Sequence, residues 1–199
     1  MTRTVAEALD DFLAHASQST ERLLAPYQPD LRSPCETGPP IDPEHELVTW
    51  QPVRQDNPDL LLPLERAFEV VVHPDVKTWW GRYFAGPLAA EATEGALTLL
   101  QLWAPDDAER LAENLIGHAF ARQRLKAPLS WFFACTEEGP DLLLTVHNAT
   151  GEVLLESPEK KPFTVVAPDL ATFIDTLTPA APTRMAPDSA CAPERPRRW

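Results

Sequence analysis

Residues able to do acid–base, nucleophilic or metal chemistry are present in this chain but scattered. The five histidines, at 15, 45, 73, 118 and 147, sit in no recognisable active-site sequence, and no G-x-S-x-G turn supplies an activated serine. Cys35, Cys135 and Cys191 are odd in number and lack C-x-x-C spacing, which indicates neither a zinc site nor a disulfide framework and fits a reducing cytosol. Seven glycines fall singly, so no phosphate-binding or dinucleotide loop can be drawn through them. Asp106-Asp107 could ligate a metal, but adjacent acids opening a helix are explained by its dipole. His118 is expected to be a hydrogen-bonded structural histidine, and Gly117 beside it to mark close packing against a neighbouring element. No cofactor, metal or catalytic set is expected; an enzyme would need a pocket of perturbed groups that the linear sequence does not display.

What the chain has in quantity is negative charge. Thirty acids against 17 Lys and Arg give a net charge of −13. Residues 179–199 carry four arginines against Asp188 and Glu194, so residues 1–178 hold −15. Nucleic-acid phosphates and anionic lipid would repel such a body. An acidic surface usually serves solvation alone, and the sharper reading is a docking face that steers a basic partner. The N-terminus, MTRTVAEALDDFLAHA, has acids where a signal peptide has an apolar core, and nothing approaches the roughly 18 apolar residues of a spanning helix. The chain is expected to be neither secreted nor integral to a membrane.

The elements that would position these charges follow from periodicity. Thr4 and Glu7 form a capping-box signature for a helix to about Leu24. A proline-rich ordered loop over 25–46, with Cys35 buried, precedes a short edge strand over 47–51. A helix over 60–72 with Leu61, Leu64, Phe68 and Val71 inward leads to an aromatic helix opened by Pro74, its Trp79 and Trp80 expected in the core with Trp50. The apolar run 97–103 reads as a central strand. Pro105 then starts a helix with Ala108, Leu111, Ala112, Leu115, Ile116, Ala119 and Phe120 inward, and Glu109, Arg110, Glu113, Arg122 and Gln123 outward. Strands over 131–136, 142–147 and 152–156 form a meander, Gly151 closing a hairpin, before a helix opened by Pro168-Asp169. The result is one α+β domain over 1–178, a mostly antiparallel sheet with helices packed against it, and a disordered Pro/Ala-rich tail over 179–199.

Several short stretches, taken in order, resemble the Syd family of SecY-interacting proteins, itself similar to the wider SUKH group. They include Ser33-Pro34-Cys35, Trp50-Gln51-Pro52, Glu65-Arg66-Ala67-Phe68, Phe84-Ala85-Gly86, Leu97 to Gln101 with Trp103, Asp106-Asp107, Glu113 to His118, Gln123 to Lys126, and Asn148 with Gly151-Glu152-Val153. The resemblance implies a SUKH-like fold, no enzyme activity, and a cytosolic protein held loosely at the inner membrane by SecY, the translocase channel subunit; the acidic charge argues against nucleic-acid binding and direct lipid insertion, and a monomer is expected. The resemblance also implies a role in surveying or restraining SecY that is not properly assembled. Cytoplasmic loops of inner-membrane proteins are rich in Lys and Arg, which suits an acidic partner. The expected capture face draws on Glu65, Glu69, Asp75, Asp106, Asp107 and Glu113. The SUKH similarity also allows an immunity or antitoxin-like module binding a basic protein.

Overall fold

The computed structural model describes residues 3–19, 23–41, 47–93, 95–137, 142–157, 160 and 163–180. Helix α1 (Val5–Ser19) opens with the predicted reciprocal cap: Thr4 N–H donates to the Glu7 carboxylate at 2.8 Å, and Glu7 N–H donates to the Thr4 hydroxyl at 3.3 Å. The helix does not reach Leu24. Pro26 biases the residue before it to extended backbone, and Leu24 lies in β1 (Leu24–Pro26), antiparallel to β2 (Leu47–Thr49) in a small separate sheet. Cys35 is buried as expected; the 42–46 part of the predicted loop lies outside the described residues.

β3 (Val53–Arg54) pairs with β4 (Tyr83–Phe84), and between them run α2 (Leu62–Phe68) and α3 (Pro74–Arg82). α2 is shorter than predicted. Glu69 adopts left-handed backbone, φ 53°, and Val70 N–H turns back to the Glu65 carbonyl at 3.1 Å. The β-branched run beyond has left the helix, and Val72 is the buried residue at 0% exposure while Val71 is 76% exposed, the reverse of the predicted inward Val71.

The main sheet contains β5 (Leu88–Ala92), β6 (Gly95–Leu99), β7 (Ser130–Thr136), β8 (Leu143–His147), β9 (Val153–Glu156), β10 (Phe163–Ala167) and β11 (Thr178–Pro179). Their order is β10-β9-β8-β7-β6-β5-β11, antiparallel at every pairing. The chain is thus α+β, as predicted, and β6 is interior. It is also shorter than the predicted 97–103: beyond Leu99 the chain is fixed by Trp79 Nε1 on the Leu100 carbonyl at 3.0 Å and by Ala85 N–H on the Leu102 carbonyl at 2.8 Å. Thr178 and Pro179, placed by the sequence reading at the tail boundary, pair with Glu91 and Ala90; beyond Ala180 the predicted tail lies outside the described residues.

α4 (Asp107–Arg124) fills the connection between β6 and β7, and α5 (Leu170–Asp175) follows β10. Adjacent β7 aromatics both pack on α3, Phe132 also meeting Trp80 at 6.3 Å, and each reaches a second helix. Phe133 meets Trp79 of α3 and Phe173 of α5, with ring centroids 5.3 and 5.8 Å away, while Phe132 receives His118 of α4 at 5.7 Å. Trp50, Trp79 and Trp80 are all core residues.

Gly151 closes the β8–β9 hairpin at φ +80°, and a Cβ there would lie 2.8 Å from His73 Nε2. Gly151→Ala is therefore expected to destabilise the fold by about 1–3 kcal/mol, although such a swap at a permissive site gains about 0.4–1 kcal/mol. Urea unfolding of the two proteins measures the difference.

Candidate functional site

Three of the six candidate acids, Asp106, Asp107 and Glu113, lie at α4. The chain enters it through a tight turn, with Asp107 and Ala108 N–H groups reaching the Ala104 and Pro105 carbonyls at 3.0 and 3.1 Å. Asp106, not Pro105, consequently stands at the cap. Asp107 is buried, accepting Ala104 N–H at 3.2 Å and pairing with the Arg110 guanidinium.

The inward stripe of α4 is Leu111, Leu115, His118, Ala119 and Arg122. Two assignments are thereby corrected: Phe120, predicted inward, is 51% exposed, and Arg122, predicted outward, is fully buried. The physical reason is a buried anion. Glu156 of β9 is almost wholly enclosed, and Arg122 Nη2 lies 2.9 Å from its Oε2, a charge contact without hydrogen-bond alignment. Arg122 Nη1 also donates to the Lys160 carbonyl at 3.1 Å, which ties the segment after β9 to the helix.

Glu156 Oε1 accepts the Ser130 hydroxyl and lies 3.3 Å from His118 Nε2, itself 3.2 Å from Ser130 Oγ. Burial pushes the Glu156 carboxyl up, but the His118 and Ser130 hydrogen bonds and the Arg122 charge outweigh it and hold the carboxyl below its usual range. Ser, His and Glu here do not make a nucleophile. Ser130 is fully buried, its proton is given to the carboxylate, and both partners converge on one oxygen. What they do is solvate an anion that water cannot reach.

The six acids expected at a capture face divide into two groups. Glu65 is engaged within the fold: Lys77 Nζ lies 2.5 Å from Oε1 and Val72 N–H donates at 2.8 Å, together holding this carboxyl below its usual range. Asp107 is likewise occupied, and Asp75 is half-buried at the start of α3, its carboxyl pushed up by burial, partly offset by His73 and reinforced by the Asp169 charge. Glu69, Asp106 and Glu113 are exposed. Asp106 and Glu113 share the outer face of α4 with Glu109, which the periodicity places outward but the binding set omits. Glu69 follows Phe68, whose ring packs on Phe120 of α4 at 5.2 Å.

Asn148, central to this region, has no role in the residue-by-residue reading. Its Oδ1 accepts Trp131 Nε1 at 2.7 Å and His73 N–H at 3.0 Å, and its Nδ2 donates to the Val71 carbonyl at 3.1 Å. One side chain thus joins β7, the β8–β9 turn and the linker from α2 to α3. Among the described residues no group of three or more His, Cys, Asp or Glu could hold a metal. A small apolar hollow lined by residues such as Leu142, Leu155, Val166 and Phe173 presents no ionisable side chain among the described residues.

Because Glu156→Gln leaves Arg122 buried without a counter-charge, it is expected to cost about 3–5 kcal/mol of stability at pH 7. The depressed Glu156 pKa adds stability that is full above the unfolded-state value, about 4.3, and is lost as pH falls through the folded-state value. The gap between wild type and Glu156→Gln should therefore narrow below about pH 4, as denaturant melts at both pH values would record.

The family model described as "Syd protein (SUKH-2)" matches residues 3–179. The chain is 36% identical over 183 residues to Protein Syd of Pseudoalteromonas atlantica, covering 90% of this chain and 98% of that one. It is 39% identical over 184 residues to Protein Syd of a Shewanella species (strain MR-7), covering 90% and 83%. With a family match over nearly its whole length and relatives that share its extent, the chain belongs to the Syd protein family.

Proposed function

We propose that this protein is a non-enzymatic acidic binding protein that docks on the basic cytosolic loops of SecY and monitors or restrains the Sec translocase, acting on SecY that is not properly assembled. Family membership supports the partner. The observation that carries the mode of binding is the exposed acidity of α4, Asp106, Glu109 and Glu113 on one outer face of a chain whose residues 1–178 hold −15. Positive loops complement such a face, and long-range attraction raises the encounter rate.

The same charge bears on location. No helix among the described residues is long and apolar enough to cross a membrane. Anionic lipid repels an acidic body, so attachment to the cytoplasmic face depends on the SecY loops and not on the bilayer. The acting form is a cytoplasmic monomer without nucleic acid or cofactor. A second reading, an immunity-type module for a small basic protein, rests on the SUKH-2 label of the family description alone.

Retention on detergent-solubilised translocase should fall as salt rises from about 0.05 to 0.5 M, with no binding to protein-free anionic liposomes. The charge reversal that tests the face is Asp106→Lys, Glu109→Lys and Glu113→Lys together; Asp107 is left intact because its reversal would break the buried helix start. At low salt the triple variant is expected to lose at least about tenfold in affinity, equivalent to about 1.4 kcal/mol. Undiminished binding would remove the electrostatic reading, and co-purification with a small basic cytosolic protein in place of SecY would bring the second reading forward.

A further inference from the structure

Along the solvent side of α4 the positions 106, 109, 113, 117, 120 and 124 recur at intervals of three or four, and all six are exposed. Their chemistry changes along the helix. Asp106, Glu109 and Glu113 make the first half acidic, and none of the three is in an ion pair among the described residues. Then come Gly117, Phe120 and Arg124.

Gly117 has no internal explanation. A Cβ built there would meet nothing within 4 Å, which overturns the expectation of close packing within the chain. Glycine in the middle of a helix lowers its stability, and here no neighbour within the described residues requires it. What it does provide is bare helix backbone on the surface, open to close approach from outside.

Beside it the surface is apolar and firmly held. Phe120 is half exposed and packs on Phe68, whose ring meets Trp131 edge-on at 6.3 Å. Trp131 is bound to Asn148, and Asn148 grips the carbonyl of Val71, itself 76% exposed. Phe120 and Val71 are thus presented on a braced support.

We infer that the outer face of α4 is a two-part docking surface for a basic polypeptide segment, its acidic half taking the cations and the Gly117–Phe120 half seating an apolar side chain of the same segment. This rests on the reading that the partner is a basic loop, and it adds what acidity alone does not specify. At about 1.5 Å rise per residue, Asp106 to Glu113 spans roughly 10 Å and Glu113 to Phe120 roughly 10 Å more. An extended segment rising about 3.3 Å per residue would then place its apolar residue about three positions from its nearest cation. The other exposed apolar pair, Phe163 and Val165 on β10, has no comparable acidic neighbours on its strand and serves as the control.

Full-length variants titrated against detergent-solubilised translocase test this. Gly117→Gln should weaken binding by about tenfold while holding or raising the melting temperature, opposite signs that a purely structural glycine would not give. Phe120→Ser should weaken binding similarly with its salt dependence unchanged, whereas Asp106→Lys with Glu113→Lys should flatten that dependence; Phe163→Ser should bind as wild type. Gly117→Gln and Phe120→Ser binding as wild type while the charge variant fails would overturn the docking surface and leave the basic-loop reading standing. If wild type itself ignored translocase, that reading would fall. The inference would then be decided by two lysine-rich peptides differing in one Trp or Ser three residues from the lysines: tighter binding of the Trp peptide, lost in Gly117→Gln, supports it, and equal binding ends it.

Discussion

The contact between Arg122 and Glu156 sets the position of α4, and with it everything the protein presents on that side. Two charges removed from water carry a desolvation penalty of several kcal/mol each, offset only where the geometry is good and the remaining lone pairs are filled. Here the carboxylate also receives Ser130 and His118, and the guanidinium also reaches the Lys160 carbonyl. His118 and Arg122 are one helical turn apart, so only one rotation of α4 brings both to Glu156. A purely apolar underside would tolerate neighbouring rotations. The polar underside therefore fixes which residues face water, and Asp106, Glu113, Gly117 and Phe120 are outward as a consequence.

A second constraint divides the acids by what they touch. Glu65, Asp107 and Glu156 are each satisfied by a cation and by at least one hydrogen-bond donor, and they belong to the fold. Glu69, Asp106, Glu109 and Glu113 stand in solvent, where they contribute little to stability and repel one another. Asp106, Glu109 and Glu113 line the start and first turns of one helix, and the field they share there suits attraction of a basic polypeptide.

Much of the architecture was legible because local signals agreed with the tertiary outcome. The Thr4–Glu7 box, the β7 to β9 meander and the buried face Leu170, Phe173, Ile174 and Leu177 all appear where periodicity and capping put them. β5 escaped because Leu-Ala-Ala-Glu-Ala is a helix-forming composition that pairing with β6 overrides, and β10 because its Phe163 and Val165 face solvent, so no buried alternation marks it. The site was harder to read. A signal for Arg122 existed: Leu111 and Leu115 extended by three and then four residues lead to His118 and Arg122, not to Phe120. Hydrophobicity alone preferred the phenylalanine. Nothing local announces Glu156 as a buried anion or Asn148 as a junction, since both roles depend on contacts far apart in sequence.

The outer face of α4 is the surface proposed to meet SecY. The most direct test replaces residue 117, and separately residue 163 on β10, with a photoreactive amino acid and irradiates each full-length protein with solubilised translocase. Cross-linking to SecY from position 117 and not from 163 is the expected result. Cross-linking from 163 alone would place the contact on the sheet edge and contradict the account.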